Sequence, residues 1–323
     1  MKHKRILFWG YNYMNYCSFI REELNAQIGE TVYCSLEFPR WMRLFRQFSS
    51  KFYAKALYRY HLSQINRVVG QHFDYVYFIH AKAMDISLVH RLKDLFPNAK
   101  FILYYWDSIN KVDYRSYIPL FDKVFSFDSQ DCEENPELAY LPLFYTNKLL
   151  PDCQTQSSLP KYDLAYIVSI TQERRYQYLV GLREYAKKNN LKLYEYAVVY
   201  SKTYIQYFLK QHKLMKGVHF KSIALKRVYD VFDKSKVIVD FPNNFQSGLT
   251  MRTFETLGMR KKLLTSNENI KKEALYSPEN IFITPADQLD RIPLSFFKDP
   301  FCPNSAIEDY SLSSWVRKQF QDK

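Results

Sequence analysis

The sequence predicts an α/β protein of two doubly wound, Rossmann-like domains facing across a cleft, and three observations carry that expectation. Short β-rich runs alternate with helical stretches along the 323 residues. Most of these runs are continuously apolar rather than alternating, as expected for parallel strands covered on both faces. The alternation pauses once, at a proline-bearing stretch near the middle, and then restarts.

In the first half the candidate strands are residues 5–9, 31–35, 75–80, 101–106 and 123–127, with helices over 18–28, 51–69 and 87–95. The stretch 141–161 carries Pro142, Pro151 and Pro160 beside a Gln-Thr-Gln-Ser-Ser tract and reads as a linker. Strands then resume over 164–169, 192–199, 237–241, 262–266 and 281–284, with helices over 173–189, 203–211, 225–234 and 251–259. The domains are accordingly placed at 1–150 and 162–300, with a linker at 151–161. A helical tail at 301–323 is expected to pack back on the first domain. No solenoid repeat is present.

Composition narrows the chemistry. An apolar fraction of 47% supports a sizeable core and excludes global disorder. Against 28 Tyr and 25 Phe there are only 7 Gly, so glycine-loop fingerprints are few. None of G-x-S-x-G, the P-loop or G-x-G-x-x-G occurs. No D-x-D is present, and no His/Cys/Asp cluster has metal-ligand spacing, so no metal is expected. The 5 cysteines are odd in number and lack a C-x-x-C pair, which argues against a disulfide framework and for a reducing cytoplasm. The apolar run after Met1-Lys-His-Lys-Arg is too short for a signal-peptide core, and no 18-residue apolar stretch follows.

The net charge of +13 is unevenly spread. Between Glu37 and Asp74 no acidic residue occurs, yet Arg40, Arg43, Arg46, Lys51, Lys55, Arg59 and Arg67 all fall there. Lys51, Lys55 and Arg59 recur at helical spacing as one basic stripe. The stretch from Arg40 to Arg67 reads either as a solvated face or as a contact with anionic lipid, which would make the protein peripheral at the inner membrane face. Nucleic acid is not expected as a partner, because no nucleic-acid-binding motif accompanies the charge.

The stretch from Gln246 to Asn267 carries the most chemistry. It follows a strand and a Pro-Asn-Asn turn and opens a helix that Ser247 or Gly248 can cap. The amides of Gly248, Leu249 and Thr250 would then point from the helix N-terminus, where an anion is favoured. Arg252 adds a positive charge in the first turn. Glu255 lies three residues on, about 5 Å along the axis, where a carboxylate can accept both hydroxyls of a diol. Diphosphate at the cap and ribose beyond it describe a nucleotide-sugar. The plainer alternative is a capped helix with an Arg–Glu pair at i,i+3.

This stretch resembles the C-terminal-domain signature of GT-B glycosyltransferases of bacterial capsule, exopolysaccharide and lipopolysaccharide clusters, the CgeB-like group. Other pieces resemble the same group in the same order: Tyr162-Asp-Leu-Ala-Tyr-Ile-Val-Ser with Arg174, Tyr104-Tyr-Trp-Asp-Ser-Ile, Phe121-Asp-Lys-Val-Phe-Ser-Phe-Asp, and Ser277-Pro-Glu-Asn-Ile-Phe-Ile. The resemblance spans most of residues 100–285 and implies a GT-B-like fold. It implies metal-independent transfer of a sugar from a nucleoside diphosphate to a glycan or lipid-linked acceptor, with no cofactor beyond the nucleotide-sugar donor. Donor-binding residues would be Arg174, Gln246, Ser247, Gly248, Leu249, Thr250, Arg252 and Glu255. Two departures stand out: Val168 replaces the glycine of many relatives, and Ser247 stands where many retaining members place a paired glutamate. Stereochemistry stays open. So do transfer of another activated group, such as a polyol phosphate, and a non-catalytic scaffold on the same fold.

A base for the acceptor hydroxyl belongs at a strand's C-terminal end. His80 and Asp107 fit that position. Asp107, followed by Ser108, equally suits a turn cap. Arg174 and Arg175 follow the first strand of the second half, and Arg174 is the preferred phosphate contact.

Overall fold

The continuously apolar runs form two six-stranded, all-parallel sheets with flanking helices, the α/β class expected. The computed structural model describes residues 4–11, 15–38, 50–149, 160–242 and 247–321. The chain divides into two units: Met1–Leu143 with Phe245–Gly248 and Leu312–Lys323, and Phe144–Asn244 with Leu249–Ser311. Residues 150–159, most of the expected linker, lie outside the described residues.

The first unit runs β1 (Lys4–Gly10), α1 (Tyr16–Gln27), β2 (Gly29–Ser35), α2 (Ser50–Val68), β3 (Tyr75–Ile79), α3 (Ile86–Leu95), β4 (Lys100–Tyr105), β5 (Lys123–Ser126), α4 (Ser129–Glu134) and β6 (Leu138–Tyr140). Its sheet order is β2-β1-β3-β4-β5-β6, so strand order reverses between β1 and β3. In open α/β sheets ligands bind beyond the carboxyl ends of the strands at such a switch point. Leu7 and Trp9 of β1 pack with Val76 and Phe78 of β3 and with Leu88 and Leu92 of α3. The alternate residues of the same strands face the other way, as the period of two dictates. There Phe8 stacks on Tyr77 with ring centroids 5.2 Å apart.

The second unit runs β7 (Tyr162–Ile170), α5 (Glu173–Lys188), β8 (Leu193–Val199), α6 (Ser201–Gln211), β9 (Val218–His219), α7 (Leu225–Asp233), β10 (Ser235–Asp240), α8 (Met251–Gly258), β11 (Lys262–Thr265) and β12 (Ile281–Ile283). The order β12-β11-β10-β7-β8-β9 places its switch point between β7 and β10. Leu164, Tyr166 and Val168 of β7 pack on Leu179 and Leu182 of α5. Ala165 and Ile167 face α7 through Val228 and Phe232.

The last helix, α9 (Leu312–Phe320), clusters with the first unit. Trp315 meets the Tyr104 ring edge-on at 4.7 Å, and Phe320 meets Tyr75 at 5.1 Å and Tyr77 at 5.5 Å. Gln27 at the end of α1 donates to the Ser313 carbonyl at 3.0 Å. Removing an indole buried this completely costs about 3–5 kcal/mol. No described helix is long and apolar enough to cross a membrane.

Candidate functional site

β3 and β4 run side by side, so the residues following them emerge together at the carboxyl edge of the first sheet. His80 Nε2 lies 3.5 Å from Asp107 Oδ2, and Lys111, one turn on, reaches Asp107 Oδ1 at 2.5 Å. The imidazole is enclosed by rings: Tyr105 at 5.0 Å, Trp106 at 5.4 Å and Tyr11 at 6.4 Å between centroids. Burial pushes the His80 pKa down to about 4; Asp107 pulls it up and Lys111 down, and neither outweighs the burial. The ring is therefore neutral at pH 7. Its backbone is left-handed (φ 66°, ψ 59°), an arrangement that costs a non-glycine residue about 1–2 kcal/mol. Strain of this kind persists where surrounding structure fixes it, and functional sites are where it gathers.

That surrounding structure is specific. Asp131 of α4 accepts hydrogen bonds from Ser108 Oγ (3.0 Å) and the Ile109 amide (2.8 Å), fixing the loop that starts at Asp107. Tyr105 stacks on Tyr114 at 3.7 Å, and its hydroxyl accepts from the Lys82 amide at 2.7 Å. A neutral imidazole beside a carboxylate can take a proton, because the carboxylate steadies the imidazolium that forms.

Ser247 and Gly248 group with the first unit. Both amides donate to Asp128 Oδ2 at 3.0 Å, and the Ser247 hydroxyl donates to Oδ1. This corrects the capping expectation. Helix α8 starts at Met251 with Thr250 as its cap residue, so neither Ser247 nor Gly248 caps it. The Gly248 amide already meets an anion, and the chain itself supplies it. Glycine is required there by close packing, since a Cβ would lie 2.4 Å from the Phe127 ring. Gln246 lies outside the described residues.

In the second unit the switch-point strands are tied by one side chain. Arg175 donates to the Ser169 carbonyl of β7 (3.0 Å) and to the Phe241 carbonyl just after β10 (3.3 Å). Arg174, its exposed neighbour, lies 5.3 Å from the Tyr178 ring centroid. Asp240, at the end of β10, accepts from Thr250 Oγ1 at 2.5 Å and Thr253 Oγ1 at 3.5 Å, fixing the start of α8. Leu249 is buried. Arg252 donates to the Ile167 carbonyl and lies over the Phe232 ring at 5.1 Å. Glu255 is buried and accepts from the Tyr229 hydroxyl of α7 at 2.7 Å. Arg252 and Glu255 thus share α8, each already engaged by its own unit.

Asp240, Tyr229 and Asp131 were not singled out as site residues from sequence, and Arg175 was placed behind Arg174, although Asp240 carries the strand-end signal used for His80. The Lys111 and Asp107 pair at i,i+4 was also readable. Among the described residues, no group of three or more His, Cys, Asp or Glu could hold a metal ion.

No family model and no curated protein sequence matches the chain. Solved structures do. A glycosyltransferase from Rickettsia africae ESF-5 is similar over 98% of this chain and 97% of that one, at 14% identity and a TM-score of 0.57. An α-glucosyltransferase in complex with UDP and a mismatched 13-mer DNA is similar over 98% and 93%, at 12% identity and 0.59. A UDP-GlcNAc 2-epimerase from Neisseria meningitidis bound to UDP-GlcNAc is similar over 98% and 98%, at 12% identity and 0.53. At these identities the likeness defines the fold: two parallel α/β units of the GT-B type.

Proposed function

We propose that the chain is a glycosyltransferase that moves a sugar from a nucleoside diphosphate donor to a growing bacterial surface glycan or glycolipid. The observation that carries this reading is the neutral, desolvated His80 beside Asp107 at the carboxyl ends of adjacent strands. His80 takes the acceptor hydroxyl's proton, and Asp107 stabilises the resulting imidazolium. The second unit holds the nucleotide. Arg174 and Arg252 meet the diphosphate, and Glu255 exchanges the Tyr229 hydroxyl for the hydroxyls of a ribose. Arginines carry the leaving phosphate's charge in place of a metal. Likeness over nearly the whole chain to proteins holding UDP or UDP-GlcNAc supports a nucleotide-sugar donor. The exposed Lys51, Lys55 and Arg59 of α2 support a contact between the 40–67 stretch and anionic lipid; residues 39–49 lie outside the described ones.

A thermal-shift panel of UDP-, GDP-, CMP- and TDP-sugars tests the donor class. A compound at about 100 times its Kd stabilises by about 2.7 kcal/mol if it binds the folded state alone. Products from the stabilising donor are then resolved with and without glycan acceptors. No stabilisation by any nucleotide would overturn the reading. A bound donor whose sugar is only isomerised would replace transfer with epimerisation, the activity named for the N. meningitidis protein.

A further inference from the structure

We propose that the outer face of α6 and the chain following it form a docking surface for an anionic lipid bilayer, separate from the 40–67 stretch. Helix α6 has no buried residue. Tyr204 and Tyr207 turn toward the core of the second unit, which leaves Ile205, Phe208 and Leu209, at i, i+3 and i+4, on one outward stripe. With Tyr200, Leu214 and Phe220 they are 44% to 65% exposed. Phe220 meets Tyr204 of α6 edge-on at 5.3 Å, which places it beside the helix. Among the described residues, 6 of the 13 exposed large hydrophobic side chains fall within these 21 positions (200–220). Clustering of that kind marks an interaction surface.

Charge identifies the occupant. From Tyr196 to Tyr229 there are seven Lys or Arg residues and no Asp or Glu. Lys202, Lys213, Lys216 and Lys221 are exposed in the same segment. Lysines flanking aliphatic and aromatic side chains on an in-plane helix match the boundary between phosphate headgroups and acyl chains. A nucleic acid would leave Ile205, Leu209 and Leu214 in water. A second copy would set seven cations of this segment against the same seven, since a two-fold interface is self-complementary.

The surface does not depend on the donor chemistry. The test is flotation of the full chain with phosphatidylcholine vesicles, with and without phosphatidylglycerol. Wild-type protein is expected to float with the anionic vesicles alone and to be released by salt. Changing Ile205→Ser, Phe208→Ser and Leu209→Ser together removes no buried group. It should weaken anionic-vesicle binding on the order of tenfold or more while leaving the melting temperature unchanged. Lys202→Gln with Lys213→Gln, Lys216→Gln and Lys221→Gln should remove the salt-sensitive part. The inference is overturned if the serine variant floats like wild type, whether or not changing Arg43, Arg46, Lys51 and Lys55 to Gln abolishes flotation. It is also overturned if wild type binds neither vesicle, or if the variant's only effect is loss of self-association without lipid. Nucleotide-binding and transfer results bear only on the proposed function.

Discussion

At the end of β3 an imidazole is wrapped by Tyr11, Tyr105 and Trp106, whereas at the ends of β7 and β10 Arg175 is bonded to the carbonyls of Ser169 and Phe241, and Asp240 to the Thr250 hydroxyl. Both places are switch-point or strand-end positions of a parallel sheet. Aromatic enclosure removes water and keeps a titratable group uncharged. Hydrogen bonds to ionic side chains are the stronger kind, and here they hold the strand ends in place. The same topological position thus takes on opposite polarity from what surrounds it.

Catalysis gives the largest expected effect on this contrast. His80→Asn keeps a residue tolerant of left-handed backbone and should lower turnover about 10²–10⁴-fold, with nucleotide affinity unchanged by calorimetry. Equal loss of nucleotide affinity would erase the division of labour. Acid stability comes next. Unfolded His80 takes a proton as pH falls below its ordinary value of 6.5, but the folded residue does so only near 4. Stability should therefore decline through that window by about 3 kcal/mol, and His80→Asn should flatten the decline in urea titrations. A variant with the wild-type pH profile would show that the ring is not neutral.

In the second unit, Glu255→Gln keeps an acceptor for Tyr229 and removes the charge. It should cost about 1.5–3 kcal/mol of nucleoside diphosphate affinity, read by calorimetry alongside an unchanged melt. The smallest expected effect is none: turnover should persist in EDTA if arginines serve the phosphates as proposed. Loss restored by Mn²⁺ or Mg²⁺ would mean that the charged end of the second sheet works through a metal.

The fold was legible because buried parallel strands print continuous apolar runs. β6 and β9 print none, because Leu138 is their one buried residue, whereas β12, also three residues long, is the apolar run Ile-Phe-Ile. His80 and Asp107 were legible as strand-end residues, since parallel pairing of β3 and β4 brings such positions together. The partners were not. Gly248 looks like a phosphate-loop glycine until Phe127, far away in sequence, proves to cover it. Glu255 looks solvent-facing until α7 delivers Tyr229. Arg174 and Arg175 differ by 100° of helical phase, and only tertiary structure shows that Arg175 spans the two strand ends. Local spacing records which residues share a face; it does not record what packs on that face.

Helix α9 gives the first unit an unusual biography. The tyrosine face of β3 and β4 leaves the ribosome early, but Trp315 and Phe320 follow about 210–245 residues later. At ordinary synthesis rates that interval is roughly 10–50 s. During it Tyr75, Tyr77 and Tyr104 lack the rings that cover them in the finished fold, an adhesive patch suited to a holding chaperone. The unit that is made first is completed last.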